Sequence, residues 1–296
     1  MSGWLDFLSD PGLARAAATC AFAAVGAGLV GCVLTARRLA LVADALAHSL
    51  LPGAGVAWLL FGSSMTALLV GGLIAALATA LGAGLLARLT RLKEDAAFAA
   101  LFSALFAVGV VLVQRAGTPV DLLRFLFGEV LAVGPADLRL AATVATLTVA
   151  GFGLFHRAIA IECFDPVFHR AIGGRSALIH SGLLVATALN LIAALHALGI
   201  VLALGLFMLP ATTAYLWCER WGAMLVASCA IAVAGTFIGF AASCRFALPS
   251  GPSIVAALGA LFVLSALFSP RHGLVARLRR PHRHLREGDT HTVCER

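Results

Sequence analysis

The sequence predicts an all-α, polytopic membrane fold, and three observations carry that expectation. Of 296 residues, 61% are hydrophobic and only 12% charged, with mean hydropathy +1.00, a composition that soluble domains of this length do not show. Apolar windows of the length a helix needs to cross a bilayer, roughly 17 to 25 residues, follow one another with short interruptions. Arginines cluster on alternate connections between those windows, as the positive-inside rule requires. The windows do not alternate apolar with polar residues as barrel strands do. One membrane domain over 1–270 is therefore expected, followed by a basic, His-containing tail over 271–296.

Taken in order, residues 1–13 set Trp4, Leu5, Phe7 and Leu8 around Asp6 and Asp10, a short amphipathic pattern suited to the interface plane. Crossing windows follow at 14–34, 38–62, 65–87, 96–114, 137–155, 176–196, 199–217, 222–243 and 253–268. That makes about nine spans, eight to nine according to how the 176–217 hairpin and the last boundaries divide. Arg37 and Arg38, then Arg88, Arg91 and Lys93, then Arg157, Arg170 and Arg175, then Arg220, and the tail from Arg271 fall on one side. That side is expected to be cytoplasmic, with the amino terminus outside and the carboxyl terminus inside. Trp58, Trp217 and Trp221 stand at span ends, where an interfacial aromatic belt places them. Small residues recur at spacing four, as in Ala24, Gly28 and Cys32 or Gly235 and Gly239, and predict faces on which helix backbones approach closely.

Several function classes are disfavoured. The net charge of +7 sits at the ends of apolar runs rather than along a basic and aromatic groove, so membrane lipid is the expected partner and nucleic acid is not. Seven scattered cysteines read as small buried hydrophobes rather than a disulfide frame. The first twenty residues lack a signal-peptide pattern, so the first span is expected to direct insertion. No GxxxxGK[ST] occurs, and the one lysine, Lys93, lies in RLKED; ATP chemistry is expected on a separate subunit, and the chain is not expected to be an enzyme.

Chemistry concentrates first in RRLALVADALAHSLLPGAG, residues 37–55. Asp44 and His48 are four apart and so share one helical face, at a depth where each ionisable group costs roughly 2.5 to 3.5 kcal/mol. One account is a single hydrogen bond that fixes the helix. The other is a pair of oxygen and nitrogen ligands of the kind zinc, manganese or iron accept. Two side chains cannot fill a cation's coordination sphere, so such a site is a half-site, completed by water or a second subunit. Pro52 and Gly53 follow at once and predict a kink or break, tolerated in a membrane where the backbone lines a water-filled pathway.

The stretch ECFDPVFHRAIGG, 162–174, interrupts the apolar pattern. Asp165 suits an N-cap and Pro166 the first helical position. One or two turns then run through Val167, Phe168, His169, Arg170, Ala171 and Ile172 to a glycine C-cap at Gly173 or Gly174. It is either a structured loop or a docking helix for a cytoplasmic partner. Further on, Pro210 in LALGLFMLPATTA is expected to kink its span, with Thr212 and Thr213 helping to satisfy freed carbonyls. Pro249, Gly251 and Pro252 predict a stiff turn entering the last span.

Together, DALAHSLLPGAGVA (44–57), LFGEVLAV (126–133), DPVFHRAIG (165–173), GIVLALGLFMLPATTA (199–214) and PSGPSIVAALGALFVL (249–264) closely resemble the permease subunits of bacterial ABC importers for zinc, manganese and iron. The resemblance implies that Asp44 and His48 are the intramembrane metal-contacting pair. It implies that Asp165 to Gly173 is the coupling helix that rides in a cleft of the ATPase. It also implies a homodimer in the bacterial inner membrane, working with a cytoplasmic ATPase dimer and an extracytoplasmic metal-binding protein. No permanently bound cofactor is expected, only a transported divalent metal, zinc first and manganese or iron next. Glu129 and His169 depart from the family pattern and inherit no role. His272, His282, His284, His291 and Cys294 make the tail either a solvated basic segment or a metal-sampling one. The rival functions are a permease for a siderophore or cobalamin, and an intramembrane enzyme or proton-coupled metal carrier.

Overall fold

The computed structural model describes residues 11–62, 64–116 and 133–269. The chain is all-α, with no strand among the described residues: α1 (Pro11–Ala36), α2 (Ala40–His48), α3 (Leu50–Phe61), α4 (Met65–Leu89), α5 (Glu94–Ala116) and α6 (Pro135–Leu154), then α7 (His156–Phe164), α8 (Pro166–Ala171), α9 (Ser176–Leu198), α10 (Ile200–Trp217), α11 (Trp221–Phe246) and α12 (Ser250–Phe268). Among the described residues, nine spans are long and apolar enough to cross a membrane, α2 and α3 together making one of them. The windows read from the sequence locate every one of these spans.

In lipid, helices associate through close packing rather than through a hydrophobic driving force, and α1 is built for that. It lies at the centre of the bundle against α6, α9, α10 and α11. Ala24 and Cys32 are wholly buried, and Gly28 faces the backbone of Cys229 so closely that a Cβ would come within 3.3 Å. Ser228 Oγ donates to the Gly28 carbonyl at 2.9 Å, and the Cys32 thiol reaches the Met224 carbonyl at 3.6 Å. Gly235 and Gly239 of α11 likewise admit Leu258 and Ile254 of α12. Both rows of small residues are packing faces. No disulfide forms among the described cysteines.

Four local features differ from the sequence reading. The second span breaks at Ser49, three residues before Pro52, rather than within Pro52 to Gly55. Proline's ring crowds, and leaves without a donor, the carbonyl four residues back, which is that of His48. The disturbance therefore falls in the turn preceding the proline, where Ser49 Oγ takes up the Leu46 carbonyl at 2.8 Å. Second, the threonines after Pro210, which lies inside α10, bond other carbonyls than the one that the proline frees. Thr212 donates to the Met208 carbonyl at 2.7 Å and Thr213 to that of Leu209 at 2.6 Å, beyond the Leu206 carbonyl that Pro210 leaves without a donor, since a side chain bonds back over its own turn. Third, Gly251 and Pro252 belong to the first turn of α12 instead of a preceding turn, a place where proline's missing N–H costs nothing. Fourth, residues 156–164 form α7, a helix too short and too polar to register as an apolar window.

Candidate metal pathway and docking helix

Asp44 and His48 lie on α2, with His48 Nε2 3.6 Å from Asp44 Oδ1. Neither side chain is sealed in protein: Asp44 is 51% exposed and His48 32%. The imidazole stands against two rings of α5, Phe102 at 5.8 Å and Phe106 at 5.7 Å between centroids, the latter edge-on. These rings limit the directions in which His48 can swing and leave its Nε2 edge toward the carboxylate. Helix α2 ends at His48 itself, so the pair sits on the last turns before the break.

Pro52 and Gly53 lie just beyond it. A Cβ at Gly109 of α5 would stand 2.6 Å from Pro52 N, and Gly53 faces the carbonyl of Gly71 on α4. The two glycines thus bring α3 within backbone contact of α4 and α5, which holds the broken span rigid on its far side. Pro210 is buried in α10, one turn beyond the Phe207 carbonyl that Gly31 accommodates. Among the described residues no group of three or more His, Cys, Asp or Glu is placed to hold a metal ion. The Asp44 and His48 pair is two ligands in this chain.

At the end of the bundle from which α9 starts, Asp165 caps α8, its Oδ1 accepting the Phe168 N–H at 2.8 Å. Pro166 opens the helix, and Gly173 closes it at φ 77°, where the left-handed region favours glycine. Val167, Phe168 and Ile172 point outward, 65%, 53% and 56% exposed, and Arg170 lies among them. Ala171 completes the second turn.

His169 has a place that the sequence did not disclose. It is buried, with Nδ1 2.7 Å from Oε2 of Glu162, itself 1% exposed. Ser176 Oγ, at the start of α9, donates to the other oxygen of Glu162 at 3.0 Å. The Gly174 N–H closes the turn on the His169 carbonyl at 2.9 Å, and a side chain at Gly174 would strike the imidazole. Glu162 on α7, His169 on α8 and Ser176 on α9 therefore tie the short helix to a membrane span through one carboxylate. Beside it, burial pushes the Cys163 thiol up to about 12, so this cysteine is an apolar filler. Residues 126–132 with Glu129, the residues before 11, and the histidines of the tail lie outside the described residues.

Nine apolar spans among the described residues, a broken helix carrying a carboxylate and an imidazole, and a capped helix with an apolar outer face at one end are the build of a multi-pass membrane protein. The family model described as the ABC 3 transport family matches residues 9–269; the chain belongs to that family, the permease subunits of ABC metal importers that its segments resemble. Among its relatives is the manganese transport system membrane protein MntC of Halalkalibacterium halodurans, 36% identical over 251 residues, which span 84% of this chain and 85% of that protein. Another is the chelated iron transport system membrane protein YfeD of Yersinia pestis, 30% identical over 88% of this chain and 86% of that one. In structure the chain is similar to PsaBC from Streptococcus pneumoniae, solved in complex with Fab, with a TM-score of 0.79 and 26% identity over 94% of this chain and 99% of that one.

Proposed function

We propose that the chain is the membrane subunit of an ATP-driven importer for manganese, with ferrous iron as the second substrate. The zinc preference expected from the sequence is set aside. It rested on an oxygen and a nitrogen ligand that zinc, manganese and iron all accept, whereas the relatives above are manganese and iron systems. An oxygen-rich sphere completed by water also suits manganese better than a closed tetrahedral zinc site.

The observation that carries this reading is the Asp44 and His48 pair on a helix that breaks directly after it. Two ligands bind weakly, and weak binding is what passage requires, because the ion must leave as readily as it enters. A second copy of the chain, facing the first across the pathway, supplies the remaining ligands together with water. Val167, Phe168 and Ile172 on α8 dock in a cleft of a cytoplasmic ATPase, and an extracytoplasmic binding protein delivers the metal on the opposite side. This sets the amino terminus outside and the carboxyl terminus in the cytoplasm of a bacterial inner membrane.

The test is uptake of radioactive manganese by proteoliposomes holding the permease, its ATPase and the binding protein. Asp44→Asn with His48→Ala is expected to abolish uptake while the complex still assembles. Uptake by the permease alone, driven by a proton gradient, would refute the reading in favour of a secondary carrier.

A further inference from the structure

A second polar cluster, built from three distant parts of the chain, lies nearer the α8 end of the bundle. Arg37 follows α1, Glu94 is the first residue of α5, and His180 is one turn into α9. Arg37 Nη1 lies 2.6 Å from His180 Nδ1, and Nη2 lies 3.2 Å from Glu94 Oε2. His180 Nε2 in turn lies 3.3 Å from Glu94 Oε1. The three side chains are largely enclosed, at 14%, 17% and 5% exposure for Arg37, Glu94 and His180.

The position relates to the Asp44 and His48 pair through α5. His48 packs on Phe102 and Phe106, eight and twelve residues after Glu94 on the same helix, so at 1.5 Å per residue Glu94 lies about 12 to 18 Å further toward the α8 end. Helix α2 itself packs between α5 and α9.

We propose that Glu94 and His180 form a second divalent-metal station on the exit side of the pathway, held shut by Arg37, whose guanidinium engages the far edge of both side chains, His180 Nδ1 and Glu94 Oε2. The proposal rests on the transport reading above and adds two observations to it. The first is ligand geometry. For bonds of about 2.1 Å meeting at a right angle, two donors lie about 3 Å apart, and Glu94 Oε1 and His180 Nε2 are 3.3 Å apart. Glu94 Oε1 is buried and makes no well-directed hydrogen bond. Gly84 of α4 lets the α9 side chains approach closely, a Cβ there standing 2.8 Å from Leu184 Cδ1 and 3.3 Å from His180 Nε2.

The second observation is the tautomer. A guanidinium only donates, so His180 Nδ1 must accept from Arg37. The ring proton then sits on Nε2, facing Glu94, and neither nitrogen has a lone pair for a metal. Release of Arg37 frees Nδ1 to carry the proton and turns Nε2 into a ligand. Arg37 thus neutralises Glu94 and keeps the imidazole in its non-binding form. The lever for release is close at hand: His180 is one turn along α9 from Ser176, the residue tied through Glu162 to His169 of α8.

The experiment titrates the purified permease and ATPase complex with Mn2+ alone and reads free Mn2+ by its electron paramagnetic resonance signal. Arg37→Gln is expected to bind one more Mn2+ per permease than wild type. The increment should persist in Arg37→Gln with Asp44→Asn and His48→Ala, and vanish when Glu94→Gln or His180→Ala is added to Arg37→Gln. An unchanged stoichiometry in Arg37→Gln, or an increment that survives loss of Glu94 and His180, overturns the proposal. Should Arg37→Gln not assemble, Arg37→Lys serves, because one ammonium cannot span both partners: extra Mn2+ supports the station and none overturns it. Loss of Mn2+ from the otherwise wild-type complex on changing Asp44 and His48 tests the transport reading separately, so the two can fail independently.

Discussion

At the scale of residues, the ionisable groups named above have either a partner from another element or an opening toward water. Asp44 and His48 are partly exposed rather than buried, 3.6 Å apart, which is loose for a structural hydrogen bond and leaves lone pairs for a cation. Loss of a mere outer-shell partner costs a metal site roughly 10- to 100-fold. Removal of either of two direct ligands is expected to cost manganese uptake at least that, readable in initial rates for Asp44→Asn and His48→Ala separately. Glu162 is the opposite case, enclosed and bonded to His169 and Ser176. Glu162→Ala leaves both without a partner, and a buried polar group so left costs about 1–3 kcal/mol; thermal melting of the purified permease should register it. Asp44 and His48 stood out in the sequence because charge is conspicuous in an apolar window. Arg37, Glu94 and His180 did not, since up to 143 positions separate their contacts and a charge beside a span end has the plainer reading of a topology signal.

At the scale of elements, two short pieces carry the proposed mechanism. The break between α2 and α3 is held by glycine contacts, Gly53 against Gly71 and Gly109 against Pro52. Overpacking of a close contact costs about 1–3 kcal/mol, so Gly53→Val is expected to lower the melting temperature and to impair dimer recovery on size exclusion. Helix α8, the proposed docking helix, has too few residues to hold its shape by propagation alone. It depends on the Asp165 cap, worth about 1 kcal/mol, and on the Glu162 tie beneath it. Its outer face is expected to supply the ATPase contact, and Phe168→Ala should weaken copurification of the ATPase while Asp165→Ala does so less. The cap, the proline and the closing glycine made α8 legible from the sequence to within a residue. The break was legible in kind and displaced in place, because proline acts on the carbonyl a turn earlier. Helix α7 was missed because nine mixed residues carry no apolar window.

At the scale of the whole molecule, the fold was readable because a bilayer restricts the choice: every backbone group must be satisfied within a span, so length and hydropathy suffice to find helices. Packing order was not readable. That α1 is the central helix follows from small residues whose partners, Cys229, Phe207 and Asn190, are far along the chain. The arrangement places the Asp44 and His48 pair on α2, the Arg37, Glu94 and His180 cluster nearer the α8 end, and the α8 tie at that end. In the proposed cycle, ATP-driven motion of α8 reaches α9 through Glu162 and Ser176 and releases Arg37 from His180. The most direct measurement is ATP-dependent manganese uptake in proteoliposomes containing the permease, its ATPase and the binding protein. The account predicts uptake that requires all three and is abolished by Asp44→Asn with His48→Ala in a complex that still assembles and hydrolyses ATP. Undiminished uptake in that variant would contradict it.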